Sequence, residues 1–397
     1  MEIKDSGGSD KEFPSPSTQN NSEPLILPDL PFEVIIEILL RLPVKSLLKF
    51  KCVSKSWLSL ISSPQFIKRQ FSCFSTSENK QKLLIVGWDE RNSYLKHCSL
   101  TSLLYDDQPT DIVEVDYLPM ERLSRYLIIL GCCNGLVCIE FMSIDVLLWN
   151  PATRKSKMLP RFISQLDLED YYITYSFGYD EMNDDYKVVA VVCSLDEDYN
   201  PSASDVMVYS VKTESWRNIG EFQGGFPKFG YLGRSFVNGK LHWALEKADC
   251  KSVVFLDLAT ETFGSLDLVE THGGAMTMVY DFFRPELTTF GGSLCLLCRS
   301  YRNSFTDVWV MKEYGVTKSW IKLLTISIDD HLTNFFRPFY IPGNDSRFLG
   351  VLRNELRLYD SKDGSFRLLP SPVNSRVAGV YVESLVSPNS IDAPERQ

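Results

Sequence analysis

DVLLWNPATRKSKMLP, Asp145 to Pro160, decides the reading of the fold. Four apolar residues, Val146 to Trp149, run into a polar stretch, Asn150 to Arg154, and the chain then resumes with Lys155 to Leu159. This is strand, turn, strand. The pattern returns as DVMVYSVKTESWRNIG (Asp205 to Gly220), SVVFLDLATETFGSLD (Ser252 to Asp267), DVWVMKEYGVTKSWIKL (Asp307 to Leu323) and NELRLYDSKDGSFRLLP (Asn354 to Pro370), with a weaker copy in NSYLKHCSLTSLLY (Asn92 to Tyr105). Taking Leu148, Tyr209, Phe255, Trp309 and Leu358 as equivalent, the steps are 61, 46, 54 and 49 residues.

A period of roughly 50 residues is that of a β-propeller blade. Each full copy follows its own apolar strand: LVCI, YKVVAVV, KLHWAL, SLCLLC and RFLGVL in turn. A still earlier strand, such as YSFGY or RSFV, brings the count to four per blade. The weak copy has KLLIVGW ahead of it and no innermost strand, whereas VAGVYVESLV (Val377 to Val386) has no blade of its own. The C-terminal strand is therefore expected to complete the first blade and close a ring of six, which removes exposed sheet edges.

The region before residue 80 has a different texture. In LPDLPFEVIIEILLRLPVKSLLKFKCVSKSW (Leu27 to Trp57), Pro31 suits a helix start and Glu33 the positive end of its dipole. Leu42-Pro43 stops that helix near Arg41. A second helix is expected over Val44 to Val53, a third around Trp57, Leu58 and Ile61, and a fourth from Pro64 with Phe66, Ile67 and Phe71. The fold class is thus α+β multidomain: a small all-α N-terminal module followed by an all-β propeller of six blades. The expected divisions are a disordered lead-in over 1–26, the helical module over 27–71, a linker over 72–81, the propeller over 82–386 and a disordered tail over 387–397.

The chain has 397 residues, 44% hydrophobic, with a formal charge of -10. Length and apolar content allow a large core, and the acidic balance argues against a nucleic-acid partner. The richest apolar run, RYLIILGCCNGLVCI, is broken by Gly131, Asn134 and Gly135, so no membrane span is expected. Ten cysteines without a secretory signal fit free thiols in a reducing compartment, cytoplasmic, nuclear or both. Leu27 to Phe71 runs against the overall charge: Arg41, Lys45, Lys49, Lys51, Lys55, Lys68 and Arg69 outnumber Asp29, Glu33 and Glu37.

Leu27 to Phe71 resembles the F-box, most closely its plant form, on its Leu-Pro start, its Leu-Pro-Val-Lys-Ser-Leu turn and its Cys-Val-Ser-Lys-Ser-Trp stretch. GCCNGLVCI, LLWNPATRKSKMLP, FGYDEMNDDYKVV, VNGKLHW and YVESL are similar to the plant F-box-associated domain, a relative of kelch propellers. The resemblance implies a substrate receptor of an SCF-type ubiquitin ligase, in which the F-box docks on a Skp-type adaptor and, through it, on cullin and RING subunits, while the propeller holds a protein substrate. Carried over by position, it places Leu30, Pro31, Val34, Ile35, Leu42, Pro43, Val44, Leu47, Leu48, Val53, Ser54 and Trp57 on the adaptor side. Ile38, Phe50 and Leu58 are left for the module's own core. Burying an aliphatic side chain is worth about 1.5 to 3 kcal/mol, so a wet apolar face on so small a module calls for a cover.

No catalytic set is visible in the propeller. The four histidines, His97, His242, His272 and His331, are scattered, and His97 and His242 fall within strands. Cys295 and Cys298 form a lone C-x-x-C with no second pair to complete a zinc site, and Cys132 and Cys133 sit where small residues let backbones approach. Neither a metal nor a cofactor is expected, nor a catalytic role; a propeller enzyme and a scaffold that leaves its partner intact are the alternatives.

Substrate candidates are the acids between Arg161 and Asn200, Asp180, Glu181, Asp184 and Asp185 among them, with Asp167, Glu169, Asp170, Asp196, Glu197 and Asp198 as the chosen contacts. A second set comes from the aromatic stretches FQGGFPKFGYLG and HLTNFFRPFYIP: Phe226, Phe229, Tyr231, Phe335, Phe336 and Arg337. Each set has a plainer reading, as a solvated rim or as ordinary inner strands.

Overall fold

The computed structural model of the protein describes residues 30–75, 80–88, 93–106, 112–115, 127–141, 144–162, 171–197, 201–223, 234–245, 252–268, 286–300, 305–327, 336–340, 346–370 and 375–389. It divides into two compact units, one ending at Leu39 and one beginning at Leu40. The described part of the first is Leu30, Pro31 and helix α1 (Phe32–Leu40) up to Leu39. The second begins with α2 (Val44–Phe50), α3 (Lys55–Ser62) and α4 (Pro64–Ser75) and continues into six four-stranded sheets. Because α4 runs to Ser75 and the first strand starts at Gln81, the interval expected as a linker is partly helical.

Blade 1 contains β1 (Gln81–Trp88), β2 (Ser93–Ser99), the short β3 (Val113–Glu114) and, innermost, β24 (Ser375–Val382). Blade 2 is β4 (Leu127–Cys133), β5 (Leu136–Phe141), β6 (Asp145–Asn150) and β7 (Lys155–Met158); blade 3 is β8 (Tyr171–Asp180), β9 (Asp185–Leu195), β10 (Pro201–Ser210) and β11 (Ser215–Glu221). Blade 4 runs β12 (Arg234–Val237), β13 (Lys240–Trp243), β14 (Ser252–Asp257) and β15 (Thr262–Asp267). Blade 5 is β16 (Glu286–Phe290), β17 (Ser293–Ser300), β18 (Phe305–Met311) and β19 (Trp320–Ser327), and blade 6 is β20 (Arg337–Tyr340), β21 (Arg347–Leu352), β22 (Glu355–Asp360) and β23 (Ser365–Leu368). The expected ring of six is present. β24 pairs antiparallel with β1, as the unmatched C-terminal strand required.

The repeats that announced the blades are the hairpins between third and fourth strands, and in blades 2, 4 and 6 their turns share one chemistry. Asn150 Oδ1 accepts from the backbone N–H of Ala152 and Thr153, Asp257 Oδ1 from Ala259 and Thr260, and Asp360 Oδ1 from Lys362. The turns then close through a residue at positive φ: Arg154, Glu261 and Gly364. A side-chain acceptor that mimics a backbone turn explains why Asn or Asp recurs there. The weak copy departs from this pattern: after β2 the chain forms α5 (Leu100–Tyr105), capped by Ser99 and burying Leu100, Leu103 and Leu104.

Three stretches that resemble family motifs meet where the ring closes. Asn150 Nδ2 donates to the carbonyls of Ser384 (3.0 Å) and Val386 (2.7 Å), tying blade 2 to the segment after β24. Gly135, in the β4–β5 turn at φ 82°, lies under the same segment: a Cβ there would fall 2.2 Å from Ser384 Oγ and 2.8 Å from the Val382 carbonyl. Gly135→Ala is therefore expected to cost about 3 kcal/mol, from strain at positive φ and from overpacking, measurable by urea unfolding.

A buried charge cluster joins blades 3 and 4. The Lys187 ammonium lies 2.8 Å from Asp180 Oδ2, 2.9 Å from Glu261 Oε1 and 2.5 Å from the Leu258 carbonyl. Burial opposes charge on both carboxyls, but hydrogen bonds from Lys187, with Asn183 on Asp180 and Arg217 on Glu261, outweigh it and hold both below the usual carboxylate range. Groups depressed on folding stabilise the protein above their unfolded pKa, about 4, and that contribution is lost as pH falls through the folded value. Urea unfolding between pH 7 and pH 3 should show declining stability, with a shallower slope in the neutral triple variant Asp180→Asn, Lys187→Met, Glu261→Gln.

Gln70 of α4 is fully buried, and neither polar atom of its amide has a hydrogen-bond partner among the described residues. Replacing a buried, unmatched amide by an apolar side chain of similar shape removes a desolvation cost without leaving a hole. Gln70→Met is expected to raise stability by about 1 to 2 kcal/mol, read from the urea midpoint.

Candidate functional site

In α1 the Pro31 carbonyl accepts from the N–H of Val34 and Ile35, starting the helix. Ile35, Ile36, Leu39 and Leu40 are its more buried side chains, whereas Leu30, Phe32, Val34 and Ile38 are exposed and Pro31 is exposed beside them. Ile38, expected inside, is 47% exposed. The helix is apolar on nearly every side, so periodicity alone does not say which stripe turns inward.

The helices of the second unit bury part of their apolar surface. Val44, Leu47, Ile61 and Phe66 are buried, Leu47 completely. Val44 and Leu47, assigned to the adaptor side, therefore serve the chain's own packing. Leu42, Leu48 and Trp57 are half-buried, and Pro43, Val53 and Ser54 are exposed. Trp57 meets Phe50 edge to face at 5.5 Å, and Ser54 caps α3 by accepting from the Trp57 N–H. Along α3 the inward side chains are Trp57 and Ile61, one turn apart, which turns Leu58 outward. Leu58 was expected in the core and is 47% exposed, while Val53 reaches 60%. Arg41, Lys45, Lys49 and Lys55 add exposed positive charge. On α4, Lys68 pairs with Asp184 of the β8–β9 turn at 2.8 Å.

The propeller candidates separate. Asp180 belongs to the buried cluster, and Asp185 is buried, accepting from Ser210 Oγ and the Lys212 N–H. These two brace turns and present no charge to a rim. Asp196 and Glu197 are exposed just past β9. Phe336 is fully buried, with its ring against Phe366 and Tyr359, so its assignment as a substrate contact is corrected to core packing. Arg337 is half-buried with Nε 3.5 Å from Glu286 Oε2. Asp167, Glu169, Asp170, Asp198, Phe226, Phe229, Tyr231 and Phe335 lie outside the described residues, as do His272 and His331.

The described histidines act as braces. His242 is fully buried, and burial pulls its pKa down to about 4, so it is neutral. Its Nδ1–H donates to the Ser235 carbonyl, leaving Nε2 to accept from the Tyr314 hydroxyl at 2.8 Å and link blade 4 to blade 5. His97 Nδ1 lies 2.9 Å from the Tyr381 hydroxyl of the closing strand. Burial pushes the thiols of Cys132, Cys133 and Cys295 up to about 12 and that of Cys298 up as well, far from nucleophilic character at neutral pH. Among the described residues no group of three His, Cys, Asp or Glu side chains is placed to hold a metal ion, and no helix is long and apolar enough to cross a membrane.

A family model for the F-box associated beta propeller domain matches residues 93–387, and one for the F-box domain matches residues 27–69. The chain belongs to the F-box proteins with an F-box-associated propeller. An F-box/kelch-repeat protein of Arabidopsis thaliana is 33% identical to it over 91% of this chain and 97% of its own length. The Arabidopsis thaliana F-box protein CPR1 is 29% identical over 90% of this chain and 88% of its own. Among solved structures, TolB from Acinetobacter baumannii aligns over 80% of this chain and 70% of that one, with 11% identity and a TM-score of 0.43. In this F-box protein the F-box match ends inside α4, and the propeller match begins with β2, although β1 is already part of blade 1 by its pairing with β24. Exposed Phe32, Ile38 and Leu58 were missed as surface candidates; the signal for Leu58 was its position one residue past the Trp57–Ile61 stripe.

Proposed function

We propose that this F-box protein is the substrate-recognition subunit of an SCF-type ubiquitin ligase: its helices dock on a Skp-type adaptor, which brings cullin and RING subunits, and its propeller holds a protein substrate. The observation that carries the reading is the exposed apolar set Val53 and Leu58 on helices whose Val44, Leu47, Ile61 and Phe66 are already buried within the chain. A small module gains nothing from wet aliphatic side chains, and covering them stabilises a complex at roughly 25 cal/mol per Å² of apolar surface. On α1, Leu30, Phe32, Val34 and Ile38 are exposed in the same manner. The chain itself performs no chemistry in this reading; holding a substrate beside the transferring enzyme raises the effective concentration of its lysines. The free thiols fit a reducing compartment, cytosol or nucleus.

The test is co-purification of the full chain with a Skp-type adaptor, followed by the lifetime of proteins captured by a variant lacking residues 27–69. Adaptor binding with longer partner lifetimes on loss of the protein supports the reading. Adaptor binding with unchanged lifetimes assigns a scaffold role instead, and absence of adaptor binding rejects both.

A further inference from the structure

The outer strands of the blades are not alike. β3 is two residues long, and β7 and β23 are four each. The latter two run into Leu159-Pro160 and Leu369-Pro370, where the leucine N–H turns back to the Val146 and Leu356 carbonyls. β11 and β15 expose only polar side chains and glycine. β19 differs: it has eight residues, no proline, and exposes both Ile321 (41%) and Leu323 (38%). Val316, in the turn leading into it, is exposed too.

An outer strand presents backbone donors and acceptors to solvent, a template on which another strand can add. We propose that β19 is a docking edge for an extended, acidic segment of a partner protein with apolar residues at alternate positions, which adds a fifth strand to blade 5. Charge selects this occupant over a second copy. Lys312, Lys318 and Lys322 are exposed around the strand with Glu313 as their acidic neighbour, and Lys322 Nζ reaches Asp307 only at 3.4 Å. Two copies of this edge brought together would oppose lysine to lysine, whereas an acidic strand finds complementary charge. Leu323 is the extra residue of a bulge, since Val308 faces Leu324 and Trp309 faces Lys322. The bulge confines regular pairing to a short run on its Leu324–Ser327 side and leaves Leu323 as an apolar contact, so the attachment is weak and specific for a short segment.

The probe is a fluorescein-labelled peptide, Asp-Val-Glu-Val-Asp-Val-Glu-Val, titrated with the full chain by anisotropy in 0.05 M and 0.5 M salt. The expected result is saturable binding with Kd in the tens of micromolar, weakened at least threefold by salt. It should weaken at least tenfold in Ile321→Glu with Leu323→Glu, and in Lys312→Glu with Lys318→Glu, with melting temperatures within a few degrees of wild type. A peptide with Lys in place of its acids should not bind. No saturable binding, equal binding of the basic peptide, or binding unchanged in folded variants would overturn the proposal, as would a concentration-dependent dimer that Leu323→Glu abolishes.

Discussion

Removal of residues 375–397 is expected to leave no cooperatively folded propeller. The deletion takes away β24, and with it the ladder on β1 from Gln81↔Val382 to Gly87↔Ser375. Buried Tyr381, Ser384 and Leu385 go with it, and Asn150 loses the two carbonyls it holds. The ring opens at β1, whose freed edge is then available for aggregation. Because the whole stability of a domain is about 5 to 15 kcal/mol, a loss on this scale exhausts it. The truncated chain should elute in the void volume on gel filtration and lose its cooperative melt, whereas deletion from Ser390 onward removes none of these contacts and should leave the melting temperature within a few degrees. Asn150→Ala is the milder version, with an expected loss of about 3 kcal/mol because a buried hub is removed and its partners are left unmatched.

Charge at Val53 and Leu58 is expected to abolish adaptor capture while leaving the fold intact. Both side chains are largely exposed, so Val53→Asp with Leu58→Asp removes little of what the chain itself packs. In a docked complex each carboxylate would be buried without a partner, at several kcal/mol apiece, enough to weaken binding by at least a hundredfold. Leu47→Asp makes an instructive contrast. That residue is fully buried, so its loss of binding would come with a loss of folding, visible as a lower melting temperature. A double variant that melts like wild type and still captures the adaptor at full affinity would move the docking surface elsewhere.

The ring was legible because its information is local and repeated. Repeated strand–turn–strand units, a first copy with no innermost strand and one C-terminal strand with no blade of its own are enough to count blades and to close them, and β24 on β1 follows. Two kinds of feature were not legible. Carry-over from the family motif placed Val44 and Leu47 outside and left Ile38 and Leu58 inside, the reverse of their burial, and α1, apolar on nearly every side, has no period that would correct Ile38. Long-range pairing is invisible in a charge count: Asp180 reads as part of an acidic rim until Lys187 and the distant Glu261 are found beside it. In blade 1, Leu100, Leu103 and Leu104 carry helical spacing that strand-by-analogy reading passed over, and α5 results. Phe336 shows the same limit for aromatics, since composition suits an interface and a core equally.

Titration calorimetry of the full chain with a purified Skp-type adaptor at several temperatures decides whether the helices present a surface for an adaptor. A saturable one-to-one complex with a negative heat-capacity change, the mark of apolar surface leaving water, is expected, with both features absent in the Val53→Asp, Leu58→Asp variant. No heat and no complex with correctly folded wild-type protein at tens of micromolar would contradict it.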